Sequence, residues 1–262
     1  MFEARTIRGR LLLQLVATIA VVPFLIPVVT MVARSLSGSG WANYAAVLAV
    51  PGFARFFLNS AIVAGASILI IYLATMAASY GFSKLRIRRK EIFFWLMMAA
   101  LTLPEVVLIA PLYATAVRLG LLGTFWAVIL PIAALQIPFT VLITRGYIDG
   151  IPDALFEAAR LDGASTWRVF WSVLIPLARP MAVALIILVL INSWNAYLLP
   201  KVFLINDDMG VVTLLPEFFR RQYNDDTPKI LAAAVVTAIP TVIAYVALQK
   251  QFERGMAAGA IK

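Results

Sequence analysis

Six long apolar runs, each bracketed by charge, decide what this chain can fold into. Between Arg10 and Arg34 lie 23 uncharged residues, between Arg55 and Lys84 lie 28, and between Arg118 and Arg145 lie 26. Between Glu91 and Arg118 lie 26 residues with one charge, Glu105; 21 uncharged residues separate Arg179 from Lys201, and 20 separate Lys229 from Lys250. A helix that crosses the hydrocarbon core of a bilayer needs about 20 such residues. The runs predict an all-α polytopic membrane protein with six transmembrane helices, at 11–33, 60–82, 92–116, 122–144, 181–199 and 230–248. Membrane β-strands would be about half as long and would alternate in polarity. Composition agrees: 63% of the 262 residues are hydrophobic and 13% charged, more apolar surface than one soluble core of this size hides. Arg5, Arg8 and Arg10 resemble the start of a signal peptide. The apolar stretch behind them is longer than the ~7–15 residues of such a segment, so a retained helix is expected. The span 1–262 reads as a single transmembrane domain.

Basic residues give the orientation, because cytoplasmic loops carry the excess of Lys and Arg. With the N-terminus inside, 15 of the 22 fall on the cytoplasmic side and 7 outside. Both termini are therefore expected in the cytoplasm. The net charge of +9 forms no contiguous stripe, so a nucleic-acid partner is not expected. The run at 84–90 is expected to fix topology and to meet anionic lipid. Cys and His are absent, which removes disulfides, thiol chemistry, the usual zinc ligands and the commonest general base. No catalytic residue and no metal site are expected.

The most informative loop is 145–180, between the fourth and fifth spans. Pro152 suits a first helical position and Asp153 a first turn. Leu155, Ala158, Ala159 and Asp162 recur at i, i+3, i+4 and i+7. Gly163 is placed to end that helix with positive φ, and Ser165 or Thr166 to cap a second. There Trp167, Phe170, Trp171 and Leu174 repeat the spacing. The alanine face lets another backbone come close, with Glu157 and Arg160 beside it. Two readings are open: a loop folded on its own membrane domain, or a docking helix for a cytoplasmic partner.

The run Glu157-Ala158-Ala159, Asp162-Gly163-Ala164 and Ile175-Pro176 resembles the EAA motif of permease subunits of binding-protein-dependent ABC importers. Leu103-Pro104, Pro111-Leu112-Tyr113, Gly120-Leu121, Trp194-Asn195 and the tail Arg254-Gly255-Met256-Ala257-Ala258-Gly259-Ala260-Ile261-Lys262 resemble the carbohydrate (maltose-type) branch. The resemblance covers most of 92–262; the first 90 residues match in hydropathy and topology only. It implies a coupling loop at about 145–180, with Glu157, Ala158, Ala159, Arg160, Asp162 and Gly163 meeting an ATPase. It also implies a second permease subunit, two copies of an ATP-binding subunit and an extracytoplasmic sugar-binding protein, in a prokaryotic cell membrane. No cofactor is expected on this chain: no Gly-Lys dipeptide of a P-loop occurs, so ATP and Mg belong to the partner ATPase.

Glu105 lies in the third run, where a charge is costly and should face the bundle or a wet cavity. It reads as a wall of the solute pathway, or as a structural carboxyl paired elsewhere or kept protonated. Gln136, Asn192, Trp194 and Asn195 are further pathway candidates, against interhelical hydrogen bonding for the amides and interface anchoring for Trp194. Asn206-Asp207-Asp208 and Asn224-Asp225-Asp226 read as turns, with calcium binding the lesser alternative. Leu214, Leu215, Phe218 and Phe219 near them suit contact with a binding protein. Uptake of a glycerol phosphate or a polyol is the alternative within the family. A stand-alone secondary transporter is the alternative outside it.

Overall fold

A computed structural model describes residues 7–220 and 225–260, and these form helices without strands. In chain order they are α1 (Ile7–Ser35), α2 (Ala42–Leu48), α3 (Phe53–Lys84), α4 (Lys90–Ala99), α5 (Glu105–Arg118), α6 (Trp126–Asp149), α7 (Asp153–Leu161), α8 (Thr166–Val169), α9 (Ile175–Leu177), α10 (Arg179–Trp194), α11 (Leu198–Phe203) and α12 (Thr227–Ala260). Arg5, Arg221, Asn224, Ile261 and Lys262, used in the sequence reading, lie outside the described residues.

Among the described residues, four helices are long and apolar enough to cross a membrane: Leu11–Ser35, Phe53–Lys84, Trp126–Asp149 and Thr227–Gln249. Two further candidates pass only as bent pairs, which gives up to six. The expected third span is one of them. It breaks between Lys90–Thr102 and Glu105–Arg118 with a bend of 104°. The cause is Pro104, which lacks an N–H and pushes its predecessor out of the helical region. Leu103 accordingly sits at φ −86°, ψ 118°. Glu105 is therefore not mid-helix but the first residue of α5.

The fifth span is also corrected. Thr166–Leu177 and Arg179–Trp194 meet at 79°, around Ala178 at ψ 7° with Pro180 in the first turn of α10. The helix ends at Trp194 rather than at 199. Upstream, Phe170–Leu174 is a π-helical turn; Pro176 has no N–H for the carbonyl of Ser172, and the ladder widens there.

The chain falls into two packed units. One holds the described parts of 1–53 and 215–238. In it α1 is apolar around its circumference from Leu11 to Thr30, and the side chains there are exposed, as suits a helix solvated by lipid. The turn after α1 is fastened by Asn43, whose Nδ2 donates to the carbonyls of Ser35 and Ser37, each at 2.9 Å. Asp226 caps α12 and pairs with Lys229 at 2.5 Å.

The other unit holds 54–214 and the described part of 239–262. Its core is Val63, Ile71, Val128, Ile132, Leu185, Val189 and Phe203, with less than 5% of each exposed. Thr75 Oγ1 and Thr140 Oγ1 share a hydrogen bond of 2.7 Å between α3 and α6, the kind of contact that holds helices together in lipid, worth roughly 0.6 kcal/mol each. The segment after α11 is stitched to α3: Asn59 Nδ2 donates to the carbonyls of Asp208 and Gly210 at 2.9 Å, and Arg55 pairs with Asp208. Asn206 Nδ2 bonds to Gly123 O at 3.4 Å. These turns bind to the chain itself, and no group of three metal-ligating side chains occurs among the described residues. Leu214 packs on the core and Leu215 is buried, while Phe218 is exposed.

Candidate functional site: an exposed helical ledge and a polar cavity

The ledge is α7, and one side of it is fixed to the foot of α3. Lys84, the last residue of α3, donates from Nζ to Asp153 Oδ1 at 2.6 Å and to Ile151 O at 2.7 Å. Its ammonium also lies 5.2 Å from the centre of the Phe156 ring. The Lys84 side chain is only 5% exposed, so it is not part of the lipid-facing basic run; Arg86, Arg88 and Arg89 remain exposed. The hydrogen bond from Lys84, and then its charge, hold the Asp153 carboxyl below the usual carboxylate range. At the other end Arg160 Nη2 donates to the carbonyl of Lys84 at 3.2 Å. Phe156 is buried between them, with Tyr80 at 6.3 Å centroid to centroid.

Pro152 stands one position earlier than expected, as an extended N-cap before α7. Gly163 ends the helix at φ +81°. The chain reverses and α8 is capped by Ser165, whose Oγ accepts from Arg168 N at 3.3 Å. Phe170 and Leu174 turn inward onto Tyr80 and Phe156. Trp167 stacks on Phe170 at 5.5 Å and stays 67% exposed.

The opposite face of α7 is free. Leu155, Glu157, Ala158 and Asp162 are exposed, and Leu161 is 89% exposed. Among the described residues Glu157 makes no hydrogen bond or ion pair. Ala159 is half-buried against the chain's own aromatic cluster. Of the six expected coupling residues, Glu157, Ala158 and Asp162 therefore face outward, Gly163 aims the turn, and Ala159 and Arg160 hold the ledge to α3. Sequence reading placed Asp153 only in a first turn and Lys84 only in a basic run, and missed Phe156. Phe156, the lone aromatic in an alanine-rich helix, was the available local signal. The Lys84–Asp153 pair, 69 residues apart in sequence, left none.

The cavity lies within the same unit, with a volume of about 440 Å³. Glu105, Gln136, Asn192 and Asn195 line it, beside Tyr197 and apolar residues such as Ile132 and Leu135. Four of the five expected pathway residues thus share one space. The break at Pro104 brings Glu105 to the start of a helix, where free N–H groups favour negative charge. Trp194 is the exception: it is outside the lining, buried, with its ring 6.2 Å from Phe57. Gln136 Oε1 is buried without a hydrogen-bond partner.

Residues 67–258 match the family described as the binding-protein-dependent transport system inner membrane component. The chain belongs to this family. It is the membrane permease component of an ABC importer, which sets aside a stand-alone secondary transporter. The permease is 34% identical over 211 residues to the probable ABC transporter permease protein YurM of Bacillus subtilis, covering 80% of this chain and 70% of that one. It is 34% identical over 204 residues to the arabinooligosaccharides transport system permease protein AraQ of Halalkalibacterium halodurans, covering 75% and 71%. In fold it is similar to a chain of a bacterial ABC transporter involved in the import of the acidic polysaccharide alginate. There the TM-score is 0.77 at 22% identity, over 96% of this chain and 99% of that one.

Proposed function

We propose that this permease crosses a prokaryotic cytoplasmic membrane six times, with both termini inside, and forms half of a sugar pathway. The other half is a second permease subunit. Two copies of an ATP-binding subunit hold ATP and Mg, and an extracytoplasmic binding protein delivers the sugar. The reading of sugar as cargo is supported by the carbohydrate-branch motifs and by the similarity to a permease named for arabinooligosaccharides.

One observation carries the coupling role: α7 is clamped to α3 on one side and bare on the other, with Leu161 89% exposed. An exposed leucine and tryptophan beside a free carboxylate suit a partner surface better than water. A rigid tie to α3 suits a device that turns closure of the ATPase pair into motion of the spans. ATP then biases one of two states by differential binding.

The test is ATP hydrolysis by the assembled complex in lipid, with binding protein loaded with candidate sugars. Hydrolysis should rise when binding protein and its sugar are both present. Hydrolysis indifferent to every loaded binding protein would remove the import role. Glycerol phosphate is the weaker cargo, since no Lys or Arg lines the cavity.

A further inference from the structure

We infer that Arg145 is a positioning residue of transport: it clasps the inner arm of the broken third span to α6 and α3, so that movement of the ledge reaches the helix break. The inference rests on the import reading above and names the residue pair through which coupling passes.

Arg145 ends the fourth apolar run and Glu91 begins the third. The fold brings the two together. Arg145 Nη1 and Nη2 donate to Glu91 Oε2 and Oε1 at 3.0 and 2.6 Å, a two-pronged pairing that fixes orientation as well as distance. The guanidinium also lies 4.2 Å from the centre of the Phe94 ring, one turn further along α4, where the ring face attracts a cation. Its Nε is 3.7 Å from Asp149 Oδ2, and Asp149 Oδ1 accepts from Ser83 Oγ of α3 at 2.6 Å. The residue after Ser83 is Lys84, which holds the ledge through Asp153. Only 16% of the Arg145 side chain is exposed. An arginine that served topology alone needs no such enclosure.

Packing holds few side chains of α4. Phe94 is its one buried residue, edge-on to Phe82 of α3 at 5.5 Å. Ile92, Phe93, Trp95 and Leu96 are exposed. Lys90 donates back to the carbonyls of Ser83 and Leu85, which closes the loop from α3 but gives no hold on α6. Beyond α4 the chain breaks at Pro104, with a bend of 104°. The arm is therefore clasped at its first turn and jointed at its far end. A tilt of α7 passed to the feet of α3 and α6 moves Glu91 through Arg145, and the break through α4. With the clasp open, a motor still grips the ledge and turns over ATP, but α4 lags behind. Such a chain of contacts counts as coupling only when breaking it changes the response.

The experiment uses the whole complex of both permease subunits and the ATPase pair in proteoliposomes. This chain holds no cysteine, so L96C in α4 and L142C in α6, both at exposed positions, take spin labels at chosen sites. Their separation is read without nucleotide and after trapping with ATP, Mg and vanadate. In the wild type it should stay narrow and unchanged, because α4 travels with α6. E91Q keeps the size of the side chain and removes its charge. It should broaden the separation on trapping and leave ATP hydrolysis nearly unchanged. Uptake should fall ~10-fold, the size of effect expected from a lost charge-assisted hydrogen bond. The sugar is whichever of maltotriose, arabinotriose and raffinose, on the binding protein, most stimulates wild-type hydrolysis. E91R combined with R145E restores an ion pair across the same gap and should recover most of the uptake. A wild-type separation that changes on trapping, an E91Q separation that stays narrow, uptake and hydrolysis that fall together, or an exchanged pair that recovers nothing at normal membrane abundance would each overturn the inference. If no sugar stimulates wild-type hydrolysis, the import reading fails instead, and the label separation still decides the clasp.

Discussion

Glu157 sits on the open side of α7 with no side-chain partner among the described residues, so reversing its charge breaks no described contact inside the permease. Glu157→Lys should leave membrane abundance unchanged and abolish ATP-driven uptake. A wrong charge in an interface costs several kcal/mol, a fall of more than about 100-fold. Uptake at the wild-type rate in reconstituted vesicles would remove Glu157 from the coupling surface. Gly163 acts through its backbone. At φ +81° an added Cβ meets nothing within 4 Å, so Gly163→Val costs conformation alone, about 1–3 kcal/mol. Gly163→Asn should cost far less, because Asn tolerates the left-handed region. Thermal stability and uptake of the two variants separate backbone strain from a lost contact. Asp153 adds a pH dependence. Its folded pKa lies below the ordinary carboxylate value because of Lys84. The pair therefore supports the ledge fully above about pH 4, and the support fades as pH falls through the folded pKa. Asp153→Asn should loosen α7 at neutral pH and flatten that acid response, read as proteolytic nicking of the 145–180 loop against pH.

At the scale of elements, the apolar runs marked candidate spans and their prolines marked candidate kinks, but not which proline breaks a helix. Pro104, Pro111, Pro131 and Pro138 all sit in apolar runs. Only Pro104 makes a sharp break, while α5 runs through Pro111 and α6 through Pro131 and Pro138. The difference lies in tertiary packing, which decides where a missing hydrogen bond becomes a bend and where it is tolerated. The caps of the 145–180 loop were legible because they are local: Gly163 acts through its own backbone, and Ser165 through a hydroxyl that reaches a backbone N–H three residues on. The face of Leu155, Ala158, Ala159 and Asp162 was left open between packing on the chain itself and docking; Leu155, Ala158 and Asp162 are exposed, Ala159 is half-buried, and Phe156 is the residue driven inward. A partner as distant as Tyr80 leaves no periodic trace. Pro104→Ala should let α4 and α5 approach one helix. Spin labels at Leu96 and Val117, both exposed, should then move apart, and solute uptake should fall as Glu105 leaves the cavity. An unchanged distance would show that packing, not Pro104, sets the bend.

For the whole molecule, hydropathy alone indicated a polytopic membrane protein, since the apolar runs leave no soluble alternative; permease followed only from the motifs of the 145–180 loop and the segments around it. The clustering of Glu105, Gln136, Asn192 and Asn195 needed coordinates, because three elements separated along the chain converge there. Both scales meet in the claim that a ledge below the bilayer is gripped by a separate motor. The most direct test places a photo-crosslinking residue at Leu161, in cells that also make the ATPase subunit of the same system. The account expects an adduct with the ATPase, absent when the same residue is placed at buried Phe156. Labelling of Leu161 by a membrane-impermeant reagent added outside intact cells, with no ATPase adduct, would contradict it.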